Sequence, residues 1–288
     1  MTGLDRNQTP KMRPMQRNRS ALVASLDIGT SKIACLIGRL KPSAPNDALR
    51  GRTHSVELIG YSQIQSRGMK AGAVADLAQC EQAVRQAVSL AEQMAKVRVE
   101  SVLLPVSAGR LQGQLIEAAS RIQGGAVTPA DVSRVTSTGM RHATAPGRTV
   151  LHALPVGYSL DGVKGIRDPR GMVARRFGVD MNVVTAEATV ARNLMLAVER
   201  CHLSVEAMAA GPYVAGLSVL TDDEADLGAA VVEMGAGTTT IAIYSAGRFV
   251  HASGFAIGGH HVTMDLARGL GACIADAERI KTLYGTVL

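Results

Sequence analysis

The sequence predicts an α/β protein built from two related half-domains that face each other across a cleft. Three observations carry this expectation. The stretch Ala229 to Tyr244, AAVVEMGAGTTTIAIY, runs from apolar residues to an acid, Glu233, then through a glycine-rich turn (Gly235-Ala236-Gly237-Thr238-Thr239) into a second apolar run. That pattern reads as strand, tight turn, strand. Near the N-terminus, Val23 to Gly38, VASLDIGTSKIACLIG, repeats it with Asp27, Gly29, Thr30, Ser31 and Lys32. The acid and the first turn glycine sit two apart in both copies.

Such turns have a specific chemistry. Consecutive free N–H groups at a bend form a concave anion site, and glycine lets a phosphate approach closely because no Cβ intervenes. An acid at the tip of each first strand, Asp27 and Glu233, can hold a magnesium ion through its bound water. A single glycine-rich hairpin is more often an ordinary β-turn, so it is the repetition that points to phosphate. The chain contains no GxxxxGK[ST], and neither hairpin is a GxGxxG leading into a helix, so P-loop and dinucleotide sites are excluded.

Composition bounds the alternatives. With 288 residues, 47% of them apolar, the chain can bury a large core and is expected to hold two or more domains. Its apolar runs fall short of a bilayer span and no signal peptide is visible, which predicts a soluble, cytosolic chain. Cys35, Cys80, Cys201 and Cys273 show no CxxC spacing and read as reduced core thiols. The net charge is +7, but residues 1–20 carry Arg6, Lys11, Arg13, Arg17 and Arg19 against Asp5 alone, which is +4 of it. There is no Trp and only 3% aromatic residues, so platforms for stacking bases are scarce. No nucleic-acid partner is expected.

Taken in order, residues 1–20 are polar, basic and hold two prolines, and predict a disordered tail. The first hairpin ends in a loop from Lys41 to His54, and a strand from Val56 to Gln65 follows. Ser66 to Gly72, SRGMKAG, leads to Asp76, which caps a predicted helix from Leu77 to about Ala95 with Val84, Ala87, Val88, Ala91 and Met94 at helical spacing. Residues 21–98 and 173–208 together form the predicted first domain. Residues 99–172 are assigned to an insert of βαβ type, with strands over Val102–Val106, Leu111–Ala119 and Thr149–Leu160 and a helix opening at Thr128-Pro129-Ala130-Asp131. The insert lacks a glycine phosphate loop and clustered acids, so its expected work is protein contact. Its basic group Arg167, Arg170, Arg175 and Arg176 reads as a solvated loop more readily than as a phosphate clamp.

Helices are predicted from Ala188 to about Cys201 and from Pro212 to Leu220, with a strand over Val205–Ala209 between them. Asp222 to Asp226 reads as a solvated acidic turn. Beyond the second hairpin, Gly258 and Gly259 precede a helix beginning at His260, and a double glycine there can bring a helix N-terminus close to a ligand. His260 and His261 point in different directions on that helix and make no metal site. Glu278 and Lys281 share one face of a last helix, where they could reach ribose and adenine edges; an ordinary surface ion pair is the plainer alternative. Residues 209–288 form the predicted second domain.

Together LDIGTSKIACLIG, SRGMKAG, VVEMGAGTTTIAIY, IGGHHVTMDLARGL and DAERIK resemble, in order and spacing, the FtsA family of bacterial cell-division proteins, within the actin, Hsp70 and hexokinase superfamily. The resemblance runs from about Ser25 to the last residue. It implies an actin-like, ribonuclease H-like two-domain ATPase fold with an inserted SHS2 subdomain and an incomplete second domain. It further implies ATP and Mg2+ as cofactors, polymerisation with copies of itself, tethering of FtsZ at the cytoplasmic face of the inner membrane at the septum, and recruitment of later divisome proteins. The membrane contact would come from a C-terminal helix that has no counterpart here. On this resemblance Asp27, Gly29, Thr30, Ser31 and Lys32 form the first phosphate loop, Gly235, Gly237, Thr238 and Thr239 the second, and Glu278 and Lys281 contact the nucleoside. The family pattern DIGGGTTD is altered, with Glu233, Ala236 and Thr240 in place of Asp, Gly and Asp, which implies ATP binding with at most weak turnover. The alternative is a small-molecule kinase of the same superfamily, which needs a general base near an acceptor hydroxyl that the sequence does not supply convincingly.

Overall fold

Alternating apolar residues over 21–42 and 54–65 produce three long antiparallel strands, β1 (Ala21–Ile28), β2 (Lys32–Pro42) and β3 (His54–Gln65). The structure, a computed structural model, describes residues 9–12, 15–43, 53–108, 110–122, 125–143 and 145–286. Most of the predicted loop between β2 and β3, and residues 1–8, 13 and 14 of the tail, therefore lie outside the described residues. A short hairpin, β4 (Met69–Lys70) and β5 (Ala73–Val74), turns on Ala71 and Gly72 at φ 49° and 74°. Two successive left-handed residues make the tight hairpin turn whose twist suits antiparallel strands.

Helix α1 (Leu77–Ala95) starts where Asp76 accepts the Gln79 N–H at 3.0 Å, as the sequence predicts. Its buried stripe is mostly alanine and valine, so it lies close on the sheet, and a Cβ at Gly60 would stand 2.5 Å from the Ala91 carbonyl oxygen. The sheet has the order β11-β6-β1-β2-β3, where β6 (Ser101–Val106) and β11 (Ser204–Ala210) run parallel to each other and β6 runs parallel to β1. The strand expected to open the insert thus belongs to the first sheet. Helix α3 (Ala188–Glu199) packs beside α1 and buries Ala191, Leu194, Ala197 and Val198.

The insert is built from β7 (Gln112–Arg121), α2 (Pro129–His142), β8 (Arg148–Leu160), β9 (Val163–Ile166) and β10 (Arg176–Glu187). Thr128 and Asp131 close a reciprocal capping box at the start of α2. The expected βαβ unit is a split one. Strands β7 and β8 each pair antiparallel with β10, which lies between them. A separate core of Val127, Val135, Val150, Phe177, Val179 and Met181 holds this layer together.

Helix α4 (Gly211–Val219) and α5 (Asp222–Leu227) lead to β12 (Ala229–Met234), β13 (Thr239–Ser245) and β14 (Arg248–Phe255). The acidic segment expected as a turn is the helix α5, because Thr221 and Glu224 form a capping box and three acids complement the positive end of the helix dipole. Strand β14 meets β7 at Ser253 and Gln112, so the second hairpin and the insert share one seven-stranded sheet, β12-β13-β14-β7-β10-β8-β9. Helices α6 (Gly259–Leu270) and α7 (Ile274–Tyr284) pack on each other at the end of the chain.

Two further expectations are corrected. The described part of the basic tail docks: Thr9 is 4% exposed, its hydroxyl donates to the Val150 carbonyl at 3.0 Å, and the Pro10 carbonyl accepts the Met208 N–H at 3.2 Å. Composition alone hid this, since one threonine and one proline suffice to seat the segment between β8 and β11. Among the cysteines, all free, Cys35 and Cys80 are core thiols but Cys273 is exposed at the start of α7, where its thiol donates to Asp276 at 3.1 Å. Among the described residues, no helix is long and apolar enough to cross a membrane.

Candidate phosphate and magnesium site

The two acid-tipped hairpins have the same backbone construction. In the first, Ile28 pairs with Ile33 and the Gly29 N–H donates to the Lys32 carbonyl at 3.0 Å; in the second, Met234 pairs with Thr239 and the Gly235 N–H donates to the Thr238 carbonyl at 2.8 Å. Each is a four-residue loop, and each acid stands one residue pair behind its loop, Asp27 opposite Ala34 and Glu233 opposite Thr240. A Cβ at Gly29 would lie 2.8 Å from the Lys32 carbonyl oxygen, so glycine is needed to close that loop.

The loops converge. A Cβ at Gly237 would lie 2.7 Å from Thr30 Oγ1 and 3.1 Å from Ala71 Cα, and the Gly72 N–H donates to Thr30 Oγ1 at 3.1 Å. The β4–β5 turn is thus wedged where the two loops meet. Between them opens a cavity of about 400 Å3, lined on one side by Asp27, Gly29, Thr30, Ser31 and Lys32 and on the other by Glu233, Gly235 and Thr238. Eight predicted site residues therefore share one cavity.

The electrostatics suit a cation beside an anion. Burial raises the Asp27 carboxyl above its ordinary value, the nearby Glu233 charge raises it further, and Lys32 works in the opposite sense. Glu233 is held by neutral donors: Ser107 Oγ donates to its two oxygens at 3.1 and 3.0 Å, and Thr240 Oγ1 to Oε2 at 2.9 Å. It also lies against the start of α4, where a Cβ at Gly211 would be 3.0 Å from Glu233 Oε2. Helix N-termini favour negative charge. Two acids with one counter-charge fit a hydrated magnesium ion. Among the described residues, no cluster of three or more His, Cys, Asp or Glu is placed to hold a metal ion.

The backbone of the second loop is oriented from behind. The Gly259 N–H donates to the Gly235 carbonyl at 2.9 Å, and the His260 N–H to the Ala236 carbonyl at 2.8 Å. Because a trans peptide holds its C=O and N–H antiparallel, the N–H groups of Ala236 and Gly237 point away from α6. Two successive N–H groups turned the same way make an anion-binding concavity. Gly258 permits this contact, since a Cβ there would be 2.3 Å from the Gly235 oxygen.

Six sequence-predicted residues therefore lie elsewhere than the cavity wall, Gly237 among them, packed against Thr30 of the first loop. Gly258 and Gly259 back the second loop, so the N-terminus of α6 meets loop carbonyls and not the open cleft. Thr239 is buried and donates to the Ile257 carbonyl at 2.7 Å. Glu278 and Lys281 form an ion pair at 2.7 Å on α7, joined to Thr263 of α6. Sequence reasoning missed Ser107, Gly72 and Gly211. For Ser107 the available signal was a polar residue directly after the apolar strand β6; Gly72 was visible as a turn residue but gave no reason to be placed between the loops.

Residues 108–185 match the family model described as the SHS2 domain inserted in FTSA, and residues 230–288 match the model of cell division protein FtsA. The chain is 47% identical over 279 residues to the cell division protein FtsA of Agrobacterium fabrum, covering 97% of this chain and 63% of that protein. It is 34% identical over 267 residues to the FtsA of Escherichia coli K12, covering 93% of this chain and 61% of the relative. Among solved structures it resembles a chain of the PilM–PilN type IV pilus biogenesis complex, with a TM-score of 0.62, 17% identity and coverage of 91% and 70%. That likeness concerns the fold, which is the actin-like one with an inserted SHS2 domain.

Proposed function

The chain belongs to the FtsA family of cell division proteins, and from that membership together with the paired hairpins we propose that it binds ATP with magnesium between Asp27 and Glu233. The observation that carries this reading is the matched pair of four-residue loops, each closed by the same glycine bond and each with an acid one pair behind it. The N–H groups of both loops and the Lys32 ammonium would hold the phosphate tail. Asp27 and Glu233 would orient the water shell of magnesium, which supplies charge neutralisation between the phosphates. Glu278 and Lys281 mark the side on which the nucleoside would lie.

The chain spans 63% of the length of its Agrobacterium relative, and the activity of the whole protein extends this proposal. In the whole protein, nucleotide-dependent association with further copies would build a scaffold at the cytoplasmic face of the inner membrane during division. That scaffold would tether FtsZ and recruit later division proteins, with the insert supplying protein contacts. Its four-stranded layer and separate core support this division of labour, because contacts made there need not disturb the cleft.

Calorimetric titration of the chain with ATP, with and without magnesium, tests the site. Binding should depend on magnesium and should be lost in Asp27→Ala. Undetectable binding by the unsubstituted chain, or unchanged affinity in that variant, would overturn the assignment.

A further inference from the structure

The far end of the insert carries three arginines that no acid pairs among the described residues. Arg121 stands directly opposite Arg176 in the β7–β10 ladder, and Arg175 lies beside them, all three exposed. Like charges directly opposite in antiparallel strands repel and cost stability. Arg175 and Arg176 turn only their backbone N–H groups to an acid, donating to Asp161 Oδ1 at 3.0 and 2.7 Å. The neighbouring cations are satisfied: Arg170 pairs with Asp168 at 2.6 Å, and Lys164 with Glu117. Positive charge is thus left over at one place.

Apolar side chains stand exposed in the same segment. Val173 is 80% exposed and Met172 44%. Their backbone is fixed: the Met172 carbonyl accepts the Val127 N–H at 2.9 Å, Val173 bridges Ala126, and the Arg175 carbonyl accepts the Ile122 N–H at 3.0 Å. Ala174, between the exposed residues, is buried in the core of the insert. The segment therefore holds one shape, with arginines and apolar side chains side by side on the outside. Strand β7 runs ten residues from its junction with β14 at Gln112 to Arg121, which puts the patch about 30 Å from that junction.

We propose that this end of the insert is a membrane contact. Arg121, Arg175 and Arg176 bind the phosphates of anionic lipid headgroups while Val173 and Met172 enter the interface. The guanidinium fork matches a phosphate and holds it through paired hydrogen bonds. Apolar groups beside cations suit a boundary where anionic headgroups overlie hydrocarbon. Val173 projects from the surface, a shape that meets a broad lipid face better than the extended backbone of an acidic peptide. Two apolar side chains are too few to anchor the chain by themselves, so the contact is peripheral and weakened by salt. The inference does not depend on nucleotide binding in the cleft.

The test is co-sedimentation of the whole chain with vesicles of phosphatidylglycerol or of phosphatidylcholine at low ionic strength, against protein without vesicles. Only phosphatidylglycerol should carry the chain down, and salt should release it. Each of Arg121→Gln, Arg175→Gln and Arg176→Gln should weaken binding by roughly fivefold, the effect of one basic residue near an anionic surface. Arg192→Gln, at an exposed position on α3 outside the patch, should change it much less. The basic N-terminal segment is the same in every arm. Arg176→Gln should leave the melting temperature no lower, since it removes the repulsion opposite Arg121, so lost binding is not lost folding. The chain has no tryptophan, so Val173→Trp supplies the only indole. Its emission should shift to the blue with phosphatidylglycerol and stay put with phosphatidylcholine. No binding by the unsubstituted chain, or equal binding by the three arginine variants, would overturn the proposal. An unshifted Val173→Trp emission would overturn it too, and arginine-dependent binding of polyglutamate in that case would assign the patch to an acidic protein.

Discussion

Ser107 donates its hydroxyl to both carboxylate oxygens of Glu233, at 3.1 and 3.0 Å, tying the end of β6 in the first sheet to the second hairpin. Thr240, directly opposite Glu233 in the hairpin, donates to the same carboxylate at 2.9 Å. The longer acid and the threonine are two departures from the family pattern, and together they form one hydrogen-bonded unit. A hydrogen bond to a charged group contributes about 1.5–3 kcal/mol. Ser107→Ala should therefore weaken magnesium-dependent ATP binding by about tenfold or more and leave magnesium-free binding unchanged. Equal loss with and without magnesium, measured by titration calorimetry, would remove Glu233 from the metal site.

Asp27 titrates above its ordinary value of 3.8 because burial and the Glu233 charge disfavour its ionised form. The sign follows from linkage. The unfolded chain releases this proton at lower pH than the folded one, so stability falls as pH rises from about 3.8 through the raised folded value. Asp27→Asn should raise the melting temperature at neutral pH without magnesium, while abolishing magnesium-dependent nucleotide binding. A lowered melting temperature would mean that Asp27 is held by favourable contacts.

Much of this site was legible before the structure. The spacing of Asp27 to Gly29 and Glu233 to Gly235 is local, and a hairpin with a glycine at its bend folds the same way wherever it occurs. Asp76 capping α1 and the Thr128–Asp131 box were legible for the same reason. What local pattern cannot contain is a contact made across the chain. Ser107 reaches Glu233 from another strand, Thr9 meets Val150, and β14 joins β7 through Ser253 and Gln112. The strand β9 and the hairpin β4–β5 were missed because strands of two to four residues carry too few residues to show alternation. Gly258 and Gly259 illustrate the reverse case: the close approach read from a double glycine is present, but its partner is the loop backbone.

His152 accepts the Ala210 N–H on Nε2 at 2.8 Å and packs against Tyr213 with ring centroids 4.7 Å apart. Burial, with a smaller contribution from Lys11, pushes its pKa down to about 4 from 6.5. The unfolded chain thus takes up a proton near pH 6.5 that the folded chain refuses until about pH 4, and stability is lost as pH falls through that window. The loss is on the order of 3 kcal/mol. Denaturant titrations at a series of pH values should show a shallower acid dependence in His152→Gln. Identical slopes would mean that His152 charges freely in the fold.

Thr9 fastens the described part of the N-terminal segment through two bonds to the Val150 carbonyl, from its hydroxyl at 3.0 Å and its N–H at 3.5 Å. Pro10 completes the bridge by accepting the Met208 N–H at 3.2 Å. The segment thereby joins β8 of the seven-stranded sheet to β11 of the five-stranded one. Removing residues 1–12 should lower stability by about 1–3 kcal/mol, from the lost bonds and the newly exposed Met208 amide. Thr9→Val should cause about half of that loss. Thermal melts that match the full chain would mean that the segment rests on the surface without holding it.

Gly237 stands where the two phosphate loops touch, and Gly269 stands in α6 with open space around it, so the two glycines should respond oppositely to a side chain. At Gly237 a Cβ would lie 2.7 Å from Thr30 Oγ1, 2.9 Å from Thr30 Cγ2 and 3.1 Å from Ala71 Cα. The Ala71 backbone is fixed in a left-handed turn, and Thr30 is engaged by the Gly72 N–H, so neither neighbour gives way easily. Gly237→Val should force the loops apart and abolish ATP and tripolyphosphate binding together, because the N–H groups of both loops must converge on one phosphate tail. At Gly269 no atom lies within 4 Å of the added Cβ, and alanine is the better helix former by about 1 kcal/mol. Gly269→Ala should therefore raise the melting temperature and leave both affinities unchanged. Retained binding in Gly237→Val would show that the loops do not act on a common ligand.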